Sequence, residues 1–196
     1  MLYKITICIV WPIAWLFFRL HVVGRENIPK GAAIISCNHT SLWDPVLLAV
    51  GMTPRIPLSF MAKKELFDIP VLGFILRHAR VFPVDRNSAD LATIRKSISV
   101  LKGGEKIAMF PEGRRVRDEK ESSSDVKTGI AMIAVRANVP IVPVYLSTNK
   151  RLFHRAHIII GEPITAQMGE GTSSENYKRI AMQVFDTILS MGKEGE

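Results

Sequence analysis

The stretch SCNHTSLWDP, residues 36 to 45, sets His39 five positions ahead of Asp44 among small polar residues. A carboxylate on one imidazole nitrogen fixes the tautomer and leaves the other nitrogen as a general base, able to take a proton from a hydroxyl or from water. Spacing alone does not single this pair out. Five histidines and eighteen acids in 196 residues make about half of one such pair by chance, yet His21 with Glu26 and His157 with Glu162 share the spacing. Position separates them. His39 follows the β-type run AAIIS (32–36), so it emerges where a strand gives way to a loop. His157 and Glu162 bracket the strand-like IIIG, where odd spacing sends side chains to opposite faces. His21 and Glu26 straddle VVGREN, just past an apolar segment.

On an uninterrupted helix, positions i and i+5 lie about 140° apart and would not meet. Here a helix has a late start. Either Asp44 is its N-cap with Pro45 at the first helical position, or Ser41 caps it with Asp44 three residues on. Both arrangements leave His39 in the loop, able to fold back on the carboxylate. On these residues alone the plainer alternative stays open: Asp44 as a cap and His39 as a polar loop residue. Cys37 stands two residues before His39 and is weighed as a thiol nucleophile, although a buried structural cysteine is the commoner case.

A second polar cluster, FPEGRRVR (110–117), follows the run KIAMF. Gly113 permits close backbone approach, Arg114, Arg115 and Arg117 offer guanidinium groups suited to phosphate, and Glu112 would orient them or bond a substrate hydroxyl. A solvated charge run is the alternative. FPVDR (82–86) ends a further strand with Arg86, and Lys63-Lys64 precede it. Three strand ends thus carry His/Asp, Arg and Glu-Gly-Arg-Arg, and ligands of open α/β sheets gather at strand carboxyl ends.

The elements that must position these groups alternate in type. Strand-like runs AAIIS, RVFPV (80–84), KIAMF (106–110), IVPVYL (141–146) and HIIIG (157–161) are separated by helical patterns. Leu91, Ile94, Ile98 and Leu101 recur at helical spacing before Gly103-Gly104, and KTGIAMIAVRAN forms a second helix. Thr172 and Glu175 make a capping box ahead of the stripe Tyr177, Ile180, Val184 and Ile188. The pattern predicts an α/β fold: one layered domain, residues 21–196, with a central mostly parallel or mixed sheet flanked by helices. Residues 111–127 are its one long polar segment, a solvated loop or a functional lid.

Residues 1–20 are expected to be a membrane-associating segment. Ile5 to Phe18 is a near-continuous apolar run of fourteen residues between Lys4 and Arg19. That is short of the roughly 20 residues a spanning helix needs. No A-x-A cleavage site follows, and Pro12 would kink or break a helix. An interfacial helix with Trp11, Trp15, Phe17 and Phe18 at the lipid boundary is preferred over a core helix. The formal charge of +8 suits an anionic partner, such as a phosphorylated metabolite, lipid headgroups or an acidic carrier protein. Aromatics are few and no RNA-binding signature or C₂H₂ spacing occurs, so no nucleic-acid partner is expected. Two cysteines make no disulfide framework, no metal cluster is visible, and neither a Walker A nor a G-x-S-x-G motif occurs.

Taken together these motifs resemble the glycerolipid acyltransferases typified by 1-acyl-sn-glycerol-3-phosphate acyltransferase. NHTSLWD resembles that family's NHxxxxD motif and FPEGRR its FPEGTR. FPVDR is similar to the end of its second motif, VPIVPV (139–144) matches its fourth, and MAKKELFDIPVLGFILR (61–77) has the family look. The order is the family's, over about residues 21–164. Two departures stand out: Arg114 replaces the usual threonine, and the glycine common before the second motif's strand is absent around Ala79.

The resemblance implies phospholipid biosynthesis by acyl transfer from acyl-CoA or an acyl-carrier protein to a lysophospholipid hydroxyl, giving phosphatidic acid, without a cofactor or metal. It implies His39 and Asp44 as catalytic residues, and Arg86, Glu112, Gly113 and Arg115 at the acceptor phosphate, with Lys63 and Arg114 as further candidates. The expected setting is the cytoplasmic face of a membrane, bacterial inner membrane included, with the protein peripheral or monotopic. The stretch LFDIPVLGFIL is expected either to line an acyl-chain groove or to be a core helix. Two other functions fit parts of the pattern: an acyl-thioester hydrolase, and a non-catalytic lipid-binding protein at the membrane surface.

Overall fold

The computed structural model describes residues 12, 14, 16–52, 56–85, 91–113, 115, 126–147 and 155–195. Its strands are β1 (His21–Val23), β2 (Ala33–Cys37), β3 (Leu58–Lys63), β4 (Val81–Val84), β5 (Lys106–Met109), β6 (Ile141–Leu146) and β7 (His157–Ile160). The helices are α1 (Asp44–Gly51), α2 (Pro70–His78), α3 (Leu91–Lys102), α4 (Gly129–Ala137) and α5 (Ser173–Gly195), with short 3₁₀ turns at Arg25–Asn27 and Lys64–Phe67. The strands form one sheet in the order β1-β7-β6-β2-β5-β3-β4. Every pairing is parallel except β6 with β7, so the sheet is mixed.

β2 lies at the centre, and all five of its residues are buried. Successive side chains of a strand point to opposite faces. Ile35 and Cys37 therefore join one core with Leu47, Leu48 and Phe18, while Ile34 joins the other with Ile130, Ile133, Ile180, Val184 and Ile188. Ile34 and Ile35 are both fully buried, each stabilising the fold by about 2 kcal/mol. The expected stripe of α5 is thus buried. Its capping box also forms: Glu175 Oε2 accepts from the Thr172 N–H at 2.8 Å, and the Glu175 N–H donates to Thr172 Oγ1 at 3.3 Å.

Four features of the fold bear on the sequence expectations. β1 and β3 were not among the expected strands; both begin or end in polar residues, which blurs their alternation. In α3 the expected stripe holds at Ile94, Ile98 and Leu101, which pack into the second core, but Leu91 is exposed and Thr93 and Ser97 are buried beside the stripe. Ser97 tolerates burial because its hydroxyl donates to the Thr93 carbonyl at 2.8 Å. In α2 only Gly73 is buried, so the helix is not a core helix. Finally, Arg80 adopts φ 59°, the left-handed region that favours glycine, immediately before β4. The missing glycine near Ala79 therefore has a structural counterpart, and the Arg80 guanidinium is tied down by an ion pair with Glu105.

Much of the expected membrane segment, including Trp11 and Trp15, lies outside the described residues. Leu16 to Phe18 are helical, with Phe18 buried and Leu16 exposed. Among the described residues no helix is long and apolar enough to cross a membrane.

Candidate active site

β2 delivers Asn38 and His39 to the carboxyl edge of the sheet. Asn38 fixes the strand end: its Nδ2 donates to the Leu146 carbonyl at 2.9 Å, and its Oδ1 accepts the Leu146 N–H at 2.8 Å. His39 follows. Its Nδ1 lies 3.0 Å from Asp44 Oδ2. The same oxygen accepts the backbone N–H groups of Thr40 and Ser41, each at 2.7 Å. One fully buried carboxylate thus organises the whole loop and its histidine.

The helix start keeps the contacts of the second expected arrangement, with Ser41 Oγ accepting the Trp43 N–H at 3.2 Å and Asp44 reaching back to the Ser41 N–H, but the regular helix begins later than expected. α1 begins at Asp44 itself, Trp43 occupies the cap position without a side-chain cap bond, and Pro45 sits in the first turn. Asp44 does not cap the helix; its carboxylate reaches back across the loop instead. With a carboxylate on Nδ1, that nitrogen carries the proton and Nε2 is the lone pair available to a substrate.

Two groups from the β5 side hold His39, one at its ring and one at its backbone. The Phe110 ring stacks on it with centroids 4.2 Å apart and planes 25° from parallel. Glu112, buried, accepts the His39 backbone N–H at 3.4 Å through Oε1. Gly113 follows with φ 65°, and an added Cβ there would meet the Lys127 side chain at 3.0 Å. The Lys127 N–H donates to the Pro111 carbonyl at 2.9 Å, closing the FPEG turn against the approach to α4.

A cavity of about 180 Å³ opens beside this cluster. His39, Gly113 and Lys127 border it, and Met61, Val84, Ala108, Met109, Phe110 and Ile130 give it apolar walls. It brings together the His39 imidazole, the Lys127 side chain and a hydrocarbon lining. Among the described residues no cluster of His, Cys, Asp or Glu is arranged to hold a metal ion.

A family model described as Acyltransferase matches residues 19–147, a span that contains both motifs of this site. The chain belongs to the acyltransferase family. This acyltransferase is 35% identical over 149 residues to the 1-acyl-sn-glycerol-3-phosphate acyltransferase of Bacillus subtilis, covering 73% of this chain and 72% of the relative. It is 34% identical over 182 residues to the enzyme of the same name from Streptococcus pneumoniae, covering 89% of this chain and 66% of the relative. Its structure resembles that of the 1-acyl-sn-glycerophosphate (LPA) acyltransferase PlsC from Thermotoga maritima with a TM-score of 0.70 and 27% identity, covering 98% of this chain and 77% of that one.

Within this acyltransferase the expected site residues fall into three groups. His39, Asp44, Glu112 and Gly113 are brought together. Arg115 is exposed just beyond Gly113, and Lys63 is exposed at the end of β3, paired with Glu65 at 3.2 Å and absent from the cavity wall. Arg86 and Arg114 lie outside the described residues. The LFDIPVLGFIL stretch does not border this cavity, and with only Gly73 of α2 buried the core-helix expectation does not hold for it. His21 and His157 face one another across β1 and β7, with rings 5.5 Å apart. Asn38, Phe110 and Lys127 were missed as site residues. For Lys127 the usable signal was a lone lysine shortly before the glycine that opens α4.

Proposed function

We propose that the chain transfers a fatty acyl group from an acyl thioester, acyl-CoA or acyl-carrier protein, to the free hydroxyl of 1-acyl-sn-glycerol-3-phosphate, giving phosphatidic acid. The observation that carries this reading is the Asp44-held imidazole at the mouth of an apolar cavity. His39 Nε2 takes the acceptor hydroxyl proton as the oxygen attacks the thioester carbonyl carbon. The tetrahedral intermediate then collapses, the C–S bond breaks, and the departing thiolate takes the proton back from His39. No acyl-enzyme is required, because the thioester is already activated and the site supplies positioning. Arg86 and Arg115 are assigned to the acceptor phosphate, with Glu112 and Gly113 shaping that pocket and Lys63 and Arg114 as further contacts. The N-terminal apolar segment is assigned to the membrane interface on its cytoplasmic face.

The relatives' names support the acceptor, and the basic balance of the chain supports an anionic one. The test is thiol release by purified protein in vesicles, with both donors against a panel of lysolipids and glycerol-3-phosphate. Release that depends on 1-acyl-sn-glycerol-3-phosphate is expected. Release indifferent to any acceptor would make the protein a thioester hydrolase, and no release with any donor would leave a lipid-binding protein.

A further inference from the structure

α2 is built with its apolar side outward. It connects β3 to β4, and the close fit of that connection falls on Gly73, where an added Cβ would strike the Phe67 carbonyl oxygen. Opposite Gly73 lies a stripe at helical spacing, Val71, Phe74 and Ile75, with Ile69 just before the helix. Val71 is 74% exposed, Phe74 60%, Ile69 48% and Ile75 45%. Burying a large apolar side chain stabilises a fold by about 1.5–3 kcal/mol. A nine-residue helix that turns this stripe to solvent and a glycine to the core gains little of that from the domain alone.

The flanks are cationic. Between residues 63 and 80 four basic residues, Lys63, Lys64, Arg77 and Arg80, stand against two acids, Glu65 and Asp68. Lys63, Lys64 and Arg77 are exposed. Arg77 is anchored near the stripe by donating to the Phe67 carbonyl at 3.0 Å.

The topology shows what shares that side of the molecule. The steps β2-α1-β3 and β3-α2-β4 cross the sheet in the same direction. Right-handed crossovers therefore put α1 and α2 on the same face. Phe18 packs into the α1-side core and meets the Trp43 ring at 5.6 Å. Leu16, Leu42 and Trp43 are exposed there too. One face thus collects the exposed apolar side chains of three separate segments, and the outward stripe of α2 is the largest of them. Patches of this kind rimmed by cations match an anionic lipid surface, with hydrocarbon at the acyl boundary and ammonium or guanidinium groups at the phosphates.

We propose that α2 is a membrane-docking helix, lying in the interface of an anionic bilayer through Ile69, Val71, Phe74 and Ile75, with Lys63, Lys64 and Arg77 at the headgroups. This adds a second contact to the N-terminal segment and rests on the lipid-enzyme reading only in that the substrate is a lipid. The binding readout needs no turnover.

The test compares the full chain with the triple variant Val71→Ser, Phe74→Ser, Ile75→Ser. Each substituted side chain is exposed and none borders the cavity. Co-sedimentation with phosphatidylglycerol–phosphatidylcholine vesicles is expected to fall at least tenfold. Thiol release with a detergent-dispersed acceptor is expected to be unchanged, which keeps this test separate from that of the reaction. Lys64→Glu is expected to weaken binding to phosphatidylglycerol vesicles and not to neutral ones. In a Trp11→Phe, Trp15→Phe, Trp43→Phe background, Phe74→Trp adds a single fluorescent reporter that leaves the stripe intact, and brominated lipids are expected to quench it. Unaltered sedimentation of the triple variant, or failure of brominated lipids to quench the reporter, would overturn the assignment. So would a monomerising effect of the triple variant in analytical ultracentrifugation without loss of vesicle binding, since the occupant would then be a second copy of the chain.

Discussion

Asn38 grips Leu146 with both ends of its amide, donating to the carbonyl at 2.9 Å and accepting the N–H at 2.8 Å. The clamp joins the ends of the neighbouring parallel strands β2 and β6 one residue before the histidine. Asn38→Leu removes both bonds and leaves two buried backbone groups without them. A loss of about 2–3 kcal/mol is expected, read as a lowered denaturation midpoint. Activity per folded molecule should also fall, because His39 loses its fixed origin. An unchanged midpoint would show the clamp to be dispensable.

Asp44 and His39 should separate in their effects. His39→Ala removes the base while Asp44 keeps its two backbone donors, so thiol release is expected to fall on the order of a thousandfold with little change in the thermal midpoint. Asp44→Asn should cost comparable activity and in addition about 1–3 kcal/mol of stability, because the loop N–H groups lose a charged acceptor. Equal midpoints for the two variants would contradict the organising role of the carboxylate.

Lys127 borders a cavity whose walls are mostly apolar. Charge acts strongly where water is scarce. Lys127→Met keeps the aliphatic stem over Gly113 and removes the charge. Activity is expected to drop about a hundredfold with the fold intact by circular dichroism. A fall confined to kcat would assign the ammonium to the developing oxyanion, a rise confined to the acceptor KM would assign it to the phosphate, and full activity would exclude both.

The capping box of α5 carries a pH signature. The backbone N–H of Thr172, and then its hydroxyl, hold the Glu175 carboxyl below its ordinary value of 4.5. A carboxyl whose value is lower folded than unfolded contributes stability above 4.5 and loses it as pH falls through the folded value. Glu175→Gln should therefore melt earlier than the parent at neutral pH, with the gap closing on acidification below 4.5. A gap independent of pH would mean that the charge is not what caps the helix.

Much of this was legible in the residues. The central strands read clearly because β2 and β6 are buried on both faces and so are nearly uninterrupted in apolar residues. The histidine–aspartate pair read clearly because a proline-started helix leaves few places for the loop to go. Three features were illegible for physical reasons. Glu112 reads by type as a substrate ligand, and its acceptance of the His39 backbone N–H, a contact 73 residues away in sequence, left no trace in the pattern. Part of the buried face of α3 was hidden because it is polar, Ser97 satisfying its hydroxyl locally on the Thr93 carbonyl. The α2 stripe shows helical periodicity without showing which side the sheet will take, and here the glycine side won.

The bond from Lys127 to Pro111, with the lysine stem lying over Gly113, ties together the two ends of the segment from 114 to 126 at a single point. Whatever stands between those ends leaves and rejoins the domain at a fixed doorway beside the histidine. Pro111, Gly113 and Lys127 therefore keep their places beside the histidine whichever residues join them.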